Sequence, residues 1–200
     1  MTQTTSKEMV WQPFDLDTIA KSAWKNGGGV TRELACWPQG ASMADFAWRV
    51  SVADIAQAGP FSLFADTDRH LLLLQGEGVH LHSKQGNVDT VLHANDRVLS
   101  FSGDVDMDSK LVAGAVTDFN VMTKRGQWQA QVTVLQQGAL VHSEVGLVLV
   151  SAGQWQCEIG SQEMRLNAGQ GVWWHGVQTD MRLKVQESGA RLLLVQLKAV

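Results

Sequence analysis

Short apolar runs recur along the chain, and several alternate with polar residues in the two-residue period of a half-buried strand. Gly, Asn, Asp and Ser separate these runs at short intervals, which is typical of β-sandwiches and β-barrels. The predicted strands are residues 47–53, 71–74, 79–82, 119–122, 132–135, 147–150, 172–174, 183–185 and 192–197. One short helix is predicted from Asp17 to Ala23, with Asp15 or Asp17 as its N-cap and the following glycines as its end.

The two halves of the chain share a pattern. The residues Leu92, Ala94, Val98, Asp106, Met107 and Lys110 recur at the same spacing as Leu166, Ala168, Val172, Asp180, Met181 and Lys184. This register predicts two related β-modules, residues 1–125 and 126–200, which could also form one compact unit. The order of strands and turns in each half resembles the cupin double-stranded β-helix. We therefore expect an all-β bicupin: two tandem jelly-roll barrels packed together, with one short N-terminal helix.

Charge and hydropathy exclude several classes of partner. The net charge is −4 and no cluster of Lys and Arg stands out, which argues against nucleic acid. The first residues have neither the basic region nor the apolar segment of a secretory signal, so we expect a cytoplasmic protein. The longest strongly apolar runs are too short to span a bilayer, so no membrane partner is expected.

Metal and nucleophile chemistry lack a pattern. At cupin spacing, the first metal-ligand positions fall near Ser62, Phe64 and Arg69, which do not form a metal set. His80 and His82 share a strand face but no acidic ligand follows at cupin spacing, which favours a solvated face. There is also no GxSxG elbow. We expect no metal, no cofactor and no catalytic residue.

Polar side chains inside the predicted strands are the candidates for a binding site. Alternation places Arg49 with Ser51 on one strand face, and Asp118 with Asn120 on one face of another strand. An arginine near an aspartate and an asparagine forms either a structural ion-pair network or a fork that recognises a carboxylate. Spacing alone leaves both readings open. The loop at residues 26–29 could approach a ligand closely, but a plain turn is the favoured interpretation.

Four motifs carry a family resemblance. They are Trp24-x-Asn26-Gly27-x-Gly29-x-Thr31-Arg32-Glu33-Leu34, Phe46-x-Trp48-Arg49-x-Ser51-x-Ala53, Gly59-Pro60-Phe61-Ser62-x-Phe64 followed by Asp68-Arg69, and Asp118-Phe119-Asn120-x-Met122-x-x-Arg125. Together they resemble the HutD/Ves family over most of residues 10–125. One departure is Ala65-Asp66-Thr67, where the family usually has Pro-Gly.

The resemblance implies a compact cytoplasmic bicupin that binds a small carboxylate, urocanate-like or formylglutamate-like, as a non-catalytic regulator of histidine utilisation. It raises eight residues to ligand-binding candidates: Asn26, Thr31, Arg32, Arg49, Ser51, Arg69, Asp118 and Asn120. In this hypothesis Arg49 or Arg69 grips the carboxylate and Asp118 orients an arginine. The second barrel would serve as a scaffold or as the surface of a homodimer.

Two alternatives stay open. One is a metal-free enzyme, a hydrolase or isomerase, that acts on a small acid or a sugar-like substrate through Glu33, Asp118 or a histidine. The other is an interaction module whose exposed strand edges recruit a partner protein.

Overall fold

The computed structural model describes residues 10–200, without the side chains of residue 10 and residues 177–179. Within this span the protein is all-β, and every predicted strand lies in an observed one, except that the predicted strand 47–53 begins one residue before the observed strand. Two predicted runs, 172–174 and 183–185, belong to one long strand, Gln170–Val185. In the described part of the chain no helix is long and apolar enough to cross a membrane.

The predicted helix at residues 17–23 is wrong. Asp15 does accept a hydrogen bond from a nearby backbone N–H, that of Asp17 at 3.0 Å, but the result is a local turn. Residues 22 and 23 form a short strand instead. Seven residues are too few for a helix to be stable without packing, so a turn and sheet pairing prevail.

The chain divides into two compact units. The first, called the pocket unit, comprises residues 19–130 together with 199–200. The second unit comprises residues 131–198 and the segment up to Thr18, of which residues 10–18 are described. The N-terminal strand belongs to the second unit, because it pairs with the strand Gln170–Val185. The observed division between the units falls after residue 130.

The pocket unit contains two sheets. A six-stranded sheet has the order β2-β3-β4-β11-β6-β9, and a four-stranded sheet has the order β5-β10-β7-β8. Their bounds are β2 Ser22–Ala23, β3 Gly29–Trp37, β4 Trp48–Ile55, β5 Gly59–Pro60, β6 Thr67–Gln75, β7 Val79–Ser83, β8 Asp89–Leu92, β9 Leu99–Ser102, β10 Met107–Leu111 and β11 Val116–Lys124. A core cluster draws on both sheets, with Leu71 and Leu73 from one and Leu81 and Met107 from the other.

The second unit is built on a seven-stranded sheet of order β12-β17-β13-β16-β14-β15, with β1 also paired to β16. The strands are β1 Val10–Asp15, β12 Trp128–Leu135, β13 Ala139–Ala152, β14 Gln154–Ile159, β15 Gln162–Asn167, β16 Gln170–Val185 and β17 Arg191–Ala199. Its core cluster includes the fully buried indoles of Trp155 and Trp174.

The sequence repeat has a counterpart in strand pairing. The order β10-β7-β8 in the pocket unit matches β16-β14-β15 in the second unit. The pairings correspond as well: Leu92 and Lys110 lie opposite the adjacent residues Val79 and His80, and their repeat mates Leu166 and Lys184 lie opposite the adjacent residues Trp155 and Gln156. Met107 and Met181, which also correspond, are both fully buried.

Candidate functional site

A cavity of about 740 Å³ opens on one face of the six-stranded sheet, within the pocket unit. Four neighbouring strands, β3, β4, β11 and β6, supply this face. Cross-strand pairing sets its rows: Glu33 lies opposite Ser51, which lies opposite Asn120. Next to this row, Met122 stands between Arg49 and Arg69. Because side chains alternate along a strand, this register brings the polar residues of separate strands to one wall.

Arg69 is the central cation of the cavity, and it is only 6% exposed. Its Nε and Nη2 donate to Oδ1 of Asn120 at 3.3 and 3.2 Å. The guanidinium carbon also lies 5.2, 5.4 and 5.1 Å from the ring centroids of Phe61, Phe64 and Phe101, which is cation–π geometry. Burial lowers the pKa of Arg69 to about 10, so the group keeps its charge at neutral pH. Arg69 is thus a fixed, buried positive charge on the cavity wall.

Arg49 is a second cation on the same wall. Its Nε donates to Oε2 of Glu33 at 2.7 Å, and its Nη1 donates to the Ser51 hydroxyl at 3.2 Å. The positive charge of Arg49 helps to lower the pKa of Arg69, which shows that the two guanidinium groups act on each other. Glu33 is partly exposed, so an incoming anion can displace it from Arg49 at a lower cost in free energy than it could displace the partner in a buried ion pair.

Asp118 is the buried carboxyl of the site, at 3% exposure. Its Oδ1 is buried and has no hydrogen-bond partner among the described residues. Burial raises the pKa of Asp118 to about 7, although the charge of Arg69 and the backbone N–H of Ala53 oppose this rise. Asn120 accepts the hydrogen bonds from Nε and Nη2 of Arg69, and Asp118 acts on Arg69 through its charge, which raises the pKa of the guanidinium against the effect of burial.

The glycine turn forms one rim of the cavity. Oδ1 of Asn26 accepts the backbone N–H of Gly28 at 3.0 Å, which closes a tight turn with Gly27 at a φ of 71°. Trp24 lies over Gly29, where a Cβ would meet the carbonyl oxygen of Asp54 at 2.5 Å. The Trp24 indole N–H donates to the Thr31 hydroxyl at 2.7 Å. Asn26, Trp24 and Thr31 all line the cavity.

Arg32 is the one candidate that does not line the cavity. It lies opposite Val52, on the face of the sheet turned away from Ser51 and Ala53. There its Nη2 donates to Oδ2 of Asp54 at 2.5 Å, and Thr117 donates to the other oxygen of Asp54. The structure therefore places Arg32 in an ion pair outside the cavity, and its role as a ligand-binding residue stays a prediction.

The chain matches one family model over most of its length. The HutD family model matches residues 16–193. The chain belongs to the HutD family. Protein Ves of Citrobacter koseri is 35% identical to it over 172 residues, which are 85% of this chain and 86% of that protein.

Solved structures agree on the fold of this HutD-family chain. HutD of Pseudomonas fluorescens SBW25, determined in a formate condition, is similar with a TM-score of 0.81 at 24% identity, covering 96% of this chain and 100% of that one. A cupin 2 conserved barrel domain protein of Leptotrichia buccalis is similar with a TM-score of 0.59 at 10% identity, covering 94% and 96% of the two chains. Likeness at these identities concerns the fold, which is all-β and cupin-like.

Several residues of the HutD-like motifs hold the framework around the site. Arg125 donates to the carboxylate of Asp68 and the hydroxyl of Ser102, at 3.0 and 2.8 Å. It also pairs with Asp104 at 3.0 Å. These bonds join the ends of β6, β9 and β11. Asp68 and Arg125 therefore hold the strand ends together, whereas Arg69, the residue after Asp68, faces the cavity.

The histidine pair lies elsewhere. His80 and His82 share one face of β7 with ring centroids 5.4 Å apart, and Nε2 of His80 bonds Oδ1 of Asp89 at 2.5 Å. Among the described residues, no group of three or more His, Cys, Asp and Glu side chains is placed to hold a metal ion.

The cavity residues outside the predicted site include Trp24, Glu33, Phe61 and Phe64. Glu33 had a signal, because it alternates with Thr31 on the same strand face. Trp24, Phe61 and Phe64 stand within the quoted motifs but outside regular alternation, so only the fold brings them to the cavity.

Proposed function

We propose that the pocket unit binds a small carboxylate, urocanate-like or formylglutamate-like, and that the protein is a non-catalytic cytoplasmic regulator of histidine utilisation. One observation carries this proposal: two guanidinium groups, Arg49 and Arg69, face a single cavity and neither is in a fully buried ion pair. Guanidinium groups are the side chains best suited to planar recognition of a carboxylate. Membership of the HutD family supports the link to histidine utilisation.

The surroundings of the two arginines also suit an anion. Asn120 holds Arg69 through a neutral amide oxygen, so the positive charge is not neutralised by its closest partner. Aromatic rings and small residues complete the wall, which leaves room for an organic ligand beside the charges. On this proposal Asn120 positions Arg69, and Ser51 and Thr31 contribute hydroxyl groups.

We also infer that the molecule consists of two tandem cupin barrels. The matching strand orders β10-β7-β8 and β16-β14-β15 support this inference, together with the shared register of the sequence repeat. Ligand binding is assigned to the first barrel, and the second would serve as a scaffold.

Calorimetric titration tests the binding proposal. Purified protein would be titrated with urocanate, histidine, formiminoglutamate, formylglutamate and formate. We expect saturable binding of at least one carboxylate, and Arg49→Ala should weaken it by roughly 10- to 100-fold, because a charge-assisted hydrogen bond is lost. Arg165→Ala, at an exposed arginine of the second unit, is the matched control. Unchanged affinity in Arg49→Ala with an intact fold would refute the role of Arg49.

An enzyme is the second candidate, and one observation favours it. Asp118 is a cavity carboxyl whose pKa is raised to about 7, a value suited to general acid–base chemistry at neutral pH. Chromatography of each titration mixture for products separates the two functions, since a regulator would return its ligand unchanged.

A further inference from the structure

Asp118 stands out because one of its carboxyl oxygens, Oδ1, is buried and has no hydrogen-bond partner among the described residues, although the backbone N–H of Ala53 bonds the group. It is the third residue of β11, with Ala53 and Leu73 as its register partners on either side. Neither partner has a side chain that can donate a hydrogen bond. A buried acceptor without a partner destabilises a fold, and a carboxylate does so more than a neutral oxygen.

The arginine beside it does not remove this cost. Nε and Nη2 of Arg69 both donate to Asn120, and among the described residues Asp118 forms no ion pair. Three other charged groups bear on the same region: Arg49 on β4 and Glu33 on β3 face the cavity, and Asp54 lies on the opposite face of β4. Arg49 already has Glu33 and Ser51, and Asp54 has Arg32.

Asp118 is nevertheless among the residues that line the cavity, so a bound ligand lies beside this carboxyl group. We propose that Asp118 determines specificity by accepting a hydrogen bond from an N–H group of the ligand, while the arginines hold its carboxylate. The inference rests on the proposed function and narrows it to a bifunctional ligand class: a small acid that carries an N–H donor. A site built to satisfy such a donor discriminates against analogues that lack it.

Matched ligand pairs test this directly. One pair is urocanate and 3-(1,3-oxazol-5-yl)acrylate, in which an oxygen replaces the ring N–H and the second ring nitrogen is kept. The other is N-formylglutamate and its N-methyl derivative. Titrations at pH 8.5 keep Asp118 largely ionised, because its pKa in the empty site is about 7. In the wild type we expect the N–H member of at least one pair to bind about 10- to 100-fold more tightly than its analogue.

Two variants assign the discrimination to Asp118. Asp118→Leu should reduce the affinity ratio to within about threefold, mainly by weakening the N–H ligand. It should also unfold at the same or a higher denaturant concentration than the wild type at pH 8.5, because it removes an unpaired buried carboxylate. Asp118→Asn keeps an acceptor oxygen and gives a second test if the leucine variant does not fold, with a ratio between the other two.

The possible outcomes distinguish a failure of the Asp118 proposal from a failure of the carboxylate-binding proposal. Binding of both members of each pair with equal affinity in the wild type would overturn the role of Asp118 and leave carboxylate binding standing. A ratio that persists in both variants would do the same. If no member of either pair binds the wild type, the proposed function fails and this inference fails with it.

Discussion

The two units share a strand order but fill their interiors differently. In the pocket unit the buried residues include Arg69, Asp118 and Asn120, along with Ser51. In the second unit the described core cluster is apolar and contains Trp155 and Trp174. Small side chains on the pocket face, such as Ser51 and Ala53, leave room for a cavity, whereas the core cluster of the second unit contains two large indoles. One architecture therefore supports either a solvent-accessible polar cavity or a filled core, depending on a few inward-facing positions.

Glycines make the same contrast. In the second unit a Cβ at Gly146 would meet the Trp174 ring at 2.5 Å, so this glycine accommodates the indole. In the pocket unit a Cβ at Gly29 would meet both the backbone of Asp54 and the Trp24 ring, so this glycine shapes the cavity rim. Gly146 therefore permits close packing in a core, whereas Gly29 permits the close approach of backbone and indole at the rim of the cavity.

The largest expected effect is on the filled core. Trp174→Ala should lower the free energy of unfolding by about 3–5 kcal/mol, because it removes a fully buried indole. Urea unfolding measures this loss, with Trp174→Phe as a milder control. Ligand affinity, corrected for the folded fraction, should stay within about twofold of the wild type. A large loss of affinity in folded protein would show that the second unit contributes to binding.

The next effect is a pH dependence of the polar core. The pKa of Asp118 is raised from 3.8 to about 7 on folding, so the folded state retains a proton that the unfolded state releases. The contribution of Asp118 to stability therefore falls as the pH rises from about 4 to 7, by roughly 2–4 kcal/mol.

Comparison with Asp118→Asn isolates this contribution. Subtracting the variant's unfolding free energy from that of the wild type, between pH 4 and 8, cancels the other titrating groups to first order. Parallel stability profiles for the two proteins would contradict the raised pKa.

A smaller effect is expected from a substitution on the face of the six-stranded sheet that is turned away from the cavity. Arg32→Ala should cost roughly 1–2 kcal/mol of stability, because Asp54 loses its closest cation and keeps only Lys21 and Thr117. Carboxylate affinity should remain within about twofold, in contrast to Arg49→Ala. Calorimetry on both variants makes the comparison, and a tenfold loss of affinity in Arg32→Ala would place Arg32 in the site after all.

The smallest effect concerns the rim. Asn26→Ala should lower stability by about 0.5–1.5 kcal/mol, because the Gly28 N–H loses its side-chain acceptor. Asn26→Asp keeps the acceptor oxygen and removes the amide donor, so it should restore stability. If the aspartate variant is stable but binds the carboxylate more weakly, Asn26 contacts the ligand. If its affinity matches the wild type, Asn26 serves only the turn.

Alternation along strands was the sequence signal with the most structural content. It placed Arg49 with Ser51 and Asp118 with Asn120 on shared faces, and the structure has all four on one cavity wall. The same rule, applied to residues 31–33, separates Arg32 from Thr31 and Glu33, so its different orientation was readable from the sequence. The family resemblance, in contrast, makes Arg32 a ligand-binding candidate.

Other features depend on contacts that no local pattern encodes. The partner of Arg69 is Asn120, which is 51 residues away, and its aromatic neighbours come from separate segments of the chain. The pairing of β1 with β16 likewise joins distant parts of the sequence. The short N-terminal segment has the sequence of a helix start, but the same capping residues also favour turns, and a turn is what forms.

The Arg125 ion pairs at the strand ends have a consequence for strand register. A slip of one residue between β6 and β11 would turn Arg69 to the opposite face of the sheet and bring His70 toward the cavity. Arg125 opposes that slip, because its bonds to Asp68 and Asp104 form only when the strand ends are aligned as observed. An ion-pair network on the surface thereby selects which of two adjacent side chains, a permanent cation or a titratable imidazole, the barrel encloses.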